Sequence, residues 1–290
     1  LNELIYLYLN HNDFSGPIPA SFTNLTAVTS IFMQSNMLTG PLTEVFNATT
    51  QRFLTTVQVS DNLLTGPLPL EAFKISQLAT FVAVENCFTG SIPEIICGLT
   101  NLRSLVLDGL HSASSCRQII MPRFSRAYLI TEDFYGTIPE CLYHMPKLNT
   151  LHVSGNGLVG TLPENLELTG NLLDISLSHN RLYGIIPRQI QQREWYSLDL
   201  SYNRIGGTLR TDFATEPANL TLFKTLGLID PDFNRSSGDR AFIPSLLLRN
   251  NRISHLIPDI LESYLNISIL SGNLFTCNLD ESDLPPHDMG

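Results

Sequence analysis

One pattern returns along almost the whole chain and constrains its fold more than any other feature. It reads Leu4-x-x-Leu7-x-Leu9-x-x-Asn12-x-Phe14-x-Gly16-x-Ile18-Pro19, then Leu54-x-x-Val57-x-Val59-x-x-Asn62-x-Leu64-x-Gly66-x-Leu68-Pro69. The frame recurs from Leu148 through Asn156, Gly160 and Pro163, and from Leu172 through Asn180, Gly184 and Pro187. Frames start at residues 4, 28, 54, 78, 102, 124, 148, 172, 195, 243 and 265, in steps of 22 to 26 residues apart from the double step between 195 and 243. A degenerate turn near Leu220 or an insertion fills that double step. Self-similarity at this period is the mark of a solenoid.

Elementary geometry explains the frame. Alternation along a short strand puts the two leucines of x-x-Leu-x-Leu on one side and the residue between them on the other. One turn cannot bury its leucines alone, whereas turns stacked about 4.8 Å apart share a continuous core. The asparagine falls where the chain leaves the strand, and its amide can pair buried backbone groups. Asn12, Asn36, Asn62, Asn86, Asn156, Asn180, Asn203, Asn251 and Asn273 are therefore expected to form a structural ladder. The glycine four residues on suits a backbone angle other residues avoid, and the proline fixes the chain after it.

Composition narrows the function. Hydrophobic residues make up 43% of the chain and charged residues 15%, enough apolar surface to argue against disorder. The formal net charge of -10 disfavours nucleic acid and anionic lipid as partners. No apolar run approaches the roughly 20 residues that cross a bilayer. The chain opens at Leu1 without a charged, apolar leader, and reads as a fragment or a processed product. Asn24, Asn47, Asn219, Asn234 and Asn266 each begin an Asn-x-Ser/Thr sequon, which points to glycosylation and a secreted or cell-surface location.

The Asn-x-x-x-Gly-x-Ile-Pro half of the frame resembles the plant-type leucine-rich repeats of receptor-like kinases, receptor-like proteins and polygalacturonase inhibitors, over residues 4 to about 276. The resemblance implies an α/β-type repeat solenoid, a right-handed horseshoe or superhelix. A parallel sheet would line its concave face, with short second strands and 3-10 turns elsewhere. Residues 1–277 would form about 12 turns, irregular at 108–126 and 211–242, and residues 278–290 an acidic, Pro-containing tail. It further implies a non-catalytic ectodomain that binds a peptide or protein ligand and allows a co-receptor, at the cell surface, with a membrane anchor outside this stretch. A secreted polygalacturonase-inhibitor-like protein and a structural or adhesive surface protein are the alternatives.

Breaks in the frame carry individual information. The turn at Leu102 has Leu110 where Asn belongs, and the next has Glu132 there. Cysteines gather at this break. Cys116 lies 8 residues before the next frame start and Cys141 lies 7 before, so Cys116–Cys141 is the expected disulfide and Cys97–Cys116 the alternative. Cys277 resembles the cysteine that closes the last repeat in such ectodomains.

Outward residues of successive strands form a row: Tyr8, Phe32, Gln58, Val82, Val106, Tyr128, His152, Ser176 and Asp199. Within it, Val82, Val106 and Tyr128 are expected to make an exposed apolar patch beside His152. Thr80, Ser104, Arg126 and Thr150 would flank it, and together these eight residues are the candidate ligand-binding site. No catalytic or metal motif appears, and no cofactor is implied. Gly155, Gly157 and Gly160 match the dinucleotide spacing, but Thr161-Leu162-Pro163 continues the repeat instead of opening a helix.

Overall fold

The structure, a computed structural model, describes residues 2–110, 134–164, 171–210, 245–255 and 266–275. The chain divides into two compact units: Leu1–Leu148 with Val153–Leu158, and Asn149–His152 with Val159–Gly290.

In the first unit the strands run β1 (Tyr6–Tyr8), β2 (Ser15–Pro17), β3 (Ser30–Phe32), β4 (Met37–Pro41), β5 (Thr56–Gln58), β6 (Leu63–Pro67), β7 (Thr80–Val82), β8 (Cys87–Thr89) and β9 (Ser104–Val106). Odd-numbered strands pair in parallel in one sheet and even-numbered strands in a second. Between successive turns lie 3-10 segments such as Ala20–Asn24 and Glu94–Gly98, each entered through a proline of the frame. The second unit repeats the plan. Its strands are β10 (Thr150–His152), β11 (Val159–Thr161), β12 (Asp174–Ser176), β13 (Arg181–Ile185), β14 (Ser197–Asp199), β15 (Arg204–Thr208), β16 (Ser245–Leu247), β17 (Arg252–His255), β18 (Asn266–Ser268) and β19 (Leu274–Phe275). Here the even-numbered strands form the first sheet and the odd-numbered strands the second.

The frame residues fill the core. Ile31, Val57, Phe81 and Leu105 in the first unit, and Leu151, Ile175, Leu198 and Leu246 in the second, are all buried at the middle of their strands. Trp195 takes a frame-start position, is fully buried, and donates its indole N–H to the Ile190 carbonyl at 2.8 Å. Most ladder asparagines hold two turns together. Asn62 accepts the Leu38 N–H at 3.0 Å and donates to the Met33 carbonyl at 2.9 Å. Asn36, Asn86, Asn203, Asn251 and Asn273 make the same pair of bonds to the turn before them. Asn12 and Asn180 bond carbonyls of their own turns.

The residue before each ladder asparagine adopts a left-handed backbone: His11, Ser35, Asp61, Glu85, Gly155, His179, Tyr202, Asn250 and Gly272. Its N–H reaches a carbonyl of the next turn, as from Asp61 to Val84 at 2.8 Å. The same bond is made from His11, Ser35, Glu85, His179, Tyr202 and Asn250, so the unusual angle is a property of the ladder and not of one residue type.

The ladder corrects the sequence-based turn count. Asn156 donates to the Leu107 carbonyl at 2.8 Å and accepts the Leu110 N–H at 2.9 Å. The Gly109 N–H donates to Ser154 O at 2.8 Å. The turn starting at 102 is thus followed directly by the turn starting at 148, and the frame expected at 124 is not a step of the ladder. On the second-sheet side, Phe134 bridges Gly90, and the Tyr135 N–H donates to Gly90 O. The ladder thus passes from Leu110 to Asn156, and the second-sheet side from Gly90 to Phe134, with no further step among the described residues. The double step has the same answer. β14 pairs directly with β16, and Asn251 donates to Leu200 O at 2.9 Å, so no turn near Leu220 intervenes.

The same finding overturns the expected disulfide. Cys141 is bonded to Cys97, not Cys116, with the α-carbons 5.7 Å apart. The two lie on the 3-10 segments Glu94–Gly98 and Glu140–Tyr143, which become consecutive once 111–133 is taken out of the count. Cys87 is also disulfide-bonded. Cys116, Cys277 and the 278–290 tail lie outside the described residues.

Candidate recognition surface

The outward face of the first sheet differs sharply between the two units. In the first, Tyr6 and Tyr8 are 57% and 63% exposed, and the Tyr8 and Phe32 rings stack at 4.9 Å and 7°. Two turns further on the face is closed: Val82 and Val106 are only 5% and 4% exposed, and Thr80 and Ser104 are buried beside them. The expected open apolar patch is therefore not open. Alternation tells which way a side chain points, but not whether that side is free. Strands apolar on both faces, as Phe81-Val82 and Leu105-Val106 are, are buried on both. Arg126 and Tyr128 lie outside the described residues.

His152 and Thr150 fall in the second unit. There the outward face is polar and partly open. His152 Nε2 and Asp174 Oδ1 lie 2.8 Å apart across neighbouring strands. The Ser197 and Ser245 hydroxyls share a hydrogen bond at 2.8 Å. Asp199 Oδ1 accepts from the Ser201 N–H at 3.0 Å and its hydroxyl at 2.6 Å. Beneath them Tyr196 is buried, and its phenol is pushed above its usual range, first by burial and then by the Asp174 charge. Thr150 is buried, while His152, Ser176, Ser197 and Asp199 are half-buried. These polar side chains hold one another in fixed positions, which is the property a preorganised binding face needs.

Several of these residues escaped sequence reasoning. Asp174, Ser197 and Ser245 sit two residues after a frame start, a lane inspected only near the apolar patch. Reading that lane to its end would have found them.

Other marked positions resolve plainly. Gly155 and Gly157 lead into β11, so the glycine spacing belongs to the repeat. Glu94 lies beside Cys97 and Cys141, but sulfurs joined in a disulfide are not the thiolates a metal needs. Of the sequons, Asn24 is exposed at the end of a 3-10 segment. Asn47 Oδ1 accepts from the Thr49 N–H and hydroxyl at 2.9 and 2.7 Å. Asn219, Asn234 and the side chain of Asn266 lie outside the described residues. No helix among the described residues is long and apolar enough to cross a membrane.

Comparisons with known proteins agree with this architecture. The sequence model of the family described as Leucine Rich Repeat matches residues 3–25 and 147–168. Over 146 residues, 48% of this chain, the sequence is 32% identical to Receptor-like protein 39 of Arabidopsis thaliana, of which it covers 16%. Among solved structures, one similar fold is the ectodomain of the Arabidopsis thaliana membrane receptor kinase GASSHO1/SCHENGEN3 in complex with CASPARIAN STRIP INTEGRITY FACTOR 2. It is 23% identical, with a TM-score of 0.64 over 94% of this chain and 33% of that one. Another is the plant peptide hormone receptor RGFR1 in complex with RGF2, 24% identical, with a TM-score of 0.59 over 94% of this chain and 44% of that one. The chain spans less than half the length of each of these proteins. Fold and ladder together define a parallel β-solenoid built from leucine-rich turns. In sequence the chain is similar to leucine-rich-repeat proteins over the stretches matched, and in fold to plant leucine-rich-repeat ectodomains.

Proposed function

We propose that this chain is a non-catalytic recognition domain, the ligand-binding ectodomain of a cell-surface receptor-like protein. It receives an extended peptide or protein segment on the outward face of the second unit's first sheet. The observation that carries this reading is the interlocked polar set His152, Asp174, Ser176, Ser197, Asp199 and Ser245 on successive parallel strands. Such a face offers donors and acceptors in fixed places and loses little entropy on binding. The half-exposed Asp199 carboxylate on this face favours hydroxylated or cationic side chains over acidic ones. The Cys97–Cys141 disulfide and the disulfide at Cys87 support an oxidising, secretory compartment, where sequons at Asn24 and Asn47 would be glycosylated. A co-receptor and a membrane anchor belong to the same reading.

The test is titration of the purified, glycosylated chain with an array of synthetic 12-residue secreted-type peptides. Asp199→Arg and Ser176→Arg are expected to weaken a bound peptide at least tenfold without changing the melting temperature. A peptide held equally well by both variants would sink this face as the site.

A further inference from the structure

We propose that the flank of the second unit, where its ladder loops pass into the second sheet, docks an acidic segment of a protein partner. Arg181 opens β13, Arg204 opens β15 and Arg252 opens β17, each immediately after a ladder asparagine and each exposed. Beside this row His179 stacks on Tyr202, with ring centroids 4.1 Å apart at 21°. The Arg249 guanidinium covers Tyr202 at 5.2 Å from the ring centroid. On β13, Tyr183 and Ile185 extend the exposed surface. This flank is separate from the ligand face of the first sheet, so the inference goes beyond the proposed function.

The frame does not ask for these residues. After the ladder asparagines of the first unit stand Asp13, Met37, Leu63 and Cys87, and before them His11, Ser35, Asp61 and Glu85. In the strand register Arg204 stands opposite Tyr183 and Arg252 opposite Gly206, so each arginine is offset by two residues from the one on the strand before, and the like charges repel. Among the described residues no carboxylate lies within ion-pair distance of Arg181, Arg204, Arg249 or Arg252. The chain as a whole carries -10, so four unneutralised arginines gathered on one flank run against its own composition. Repulsion of this kind is relieved by a complementary anion.

The mixture with aromatic and aliphatic groups favours protein over a simple polyanion, since Arg and Tyr are the residues that most often anchor protein interfaces. Guanidinium also pairs two-pronged with carboxylate. Carboxylates three or four residues apart on a helix lie about 5–6 Å from one another, a cluster dense enough to face several of these arginines at once.

The experiment uses three probes at equal charge: a 16-residue helical peptide with glutamates on one face, the same peptide scrambled, and polygalacturonate. Each is titrated against the whole chain by fluorescence anisotropy at low and physiological salt. The helical peptide should bind at least tenfold more tightly than the scrambled one. Arg204→Glu should lose that binding, and Arg252→Ala should weaken it severalfold, with the melting temperature of both variants held. Asp199→Arg should leave it unchanged. Equal binding of all three probes, with one common loss in Arg204→Glu, would show a generic polyanion site and overturn the proposal. So would helical-peptide binding that both arginine variants retain.

Discussion

The two units answer the same frame with different surfaces. On β7 and β9 of the first unit the outward residues Thr80, Val82, Ser104 and Val106 are all buried, while in the second unit His152, Ser176, Ser197 and Asp199 are partly open. After the ladder asparagine the first unit has no cation, and the second has three arginines. Core and ladder positions are nevertheless interchangeable between them: Asn62 and Asn251 make the same pair of bonds to the turn before. The frame thus governs what is buried, and the residues it leaves free distinguish one stretch of solenoid from another. That is why a fold shared with peptide-hormone receptors does not by itself name a ligand.

The largest effect that would break this comparison lies at the disulfide. The Cys97–Cys141 bond joins two 3-10 segments across a sequence separation of 44 residues. Removing it with Cys97→Ala and Cys141→Ala should cost about 2–4 kcal/mol. Peptide mapping of the unreduced protein should recover a Cys97–Cys141 pair, and recovery of Cys116 with Cys141 would restore a turn at 124.

Next in size is the ladder. Asn156 is fully buried and joins the turns on either side of residues 111–133. Asn156→Ala leaves a buried N–H and a buried carbonyl without that partner, a loss of about 1–3 kcal/mol. Asn12→Ala, exposed and bonded only to carbonyls of its own turn, should cost well under half of that. Equal losses in urea melts would mean that the ladder does not carry the stability assigned to it.

A smaller contrast separates two glycines of the frame. Gly207 has φ +84°, and a β-carbon there would meet Ile185 Cγ2 at 2.8 Å; Gly16 has the same φ with nothing within 4 Å. Gly16→Ala therefore measures backbone strain alone, about 1 kcal/mol, and Gly207→Ala adds a clash with a branched neighbour. The difference in melting temperature between the two reads the steric part directly.

These contrasts show what the sequence made legible. The strands, the asparagine ladder and the glycine–proline corners follow from a local pattern, so residues such as Leu105, Asn62 and Gly66 could be placed by counting. Counting failed at Cys116 and at the frame start 124. The stretch between Leu110 and Phe134 is close to one repeat in length, and only long-range pairing such as Asn156 with Leu107 shows which described turns are neighbours. The apolar patch failed for a different reason. Val82 and Val106 point outward as alternation requires, but they are buried all the same, and periodicity does not encode whether that side is free. The arginine row was visible all along as Asn180-Arg181, Asn203-Arg204 and Asn251-Arg252. Its meaning needed the demonstration that 195 and 243 are neighbouring turns.

The finest test compares two outward side chains one row apart in kind. Val82 is small but buried, and Tyr8 is large but exposed, with one ring face against Phe32. If outward positions in the first unit were open surface, as sequence alone suggests, Tyr8→Ala would cost more because it deletes more apolar atoms. Burial reverses the order. Val82→Ala removes two buried methyl groups at about 0.8 kcal/mol each, while Tyr8→Ala gives up chiefly one ring contact of about 0.5–1 kcal/mol. Chemical melts of the two variants should therefore rank Val82→Ala as the less stable. The opposite ranking would mean that the face around Val82 is open in solution, and would return Val82 and Val106 to the list of surfaces a ligand can reach.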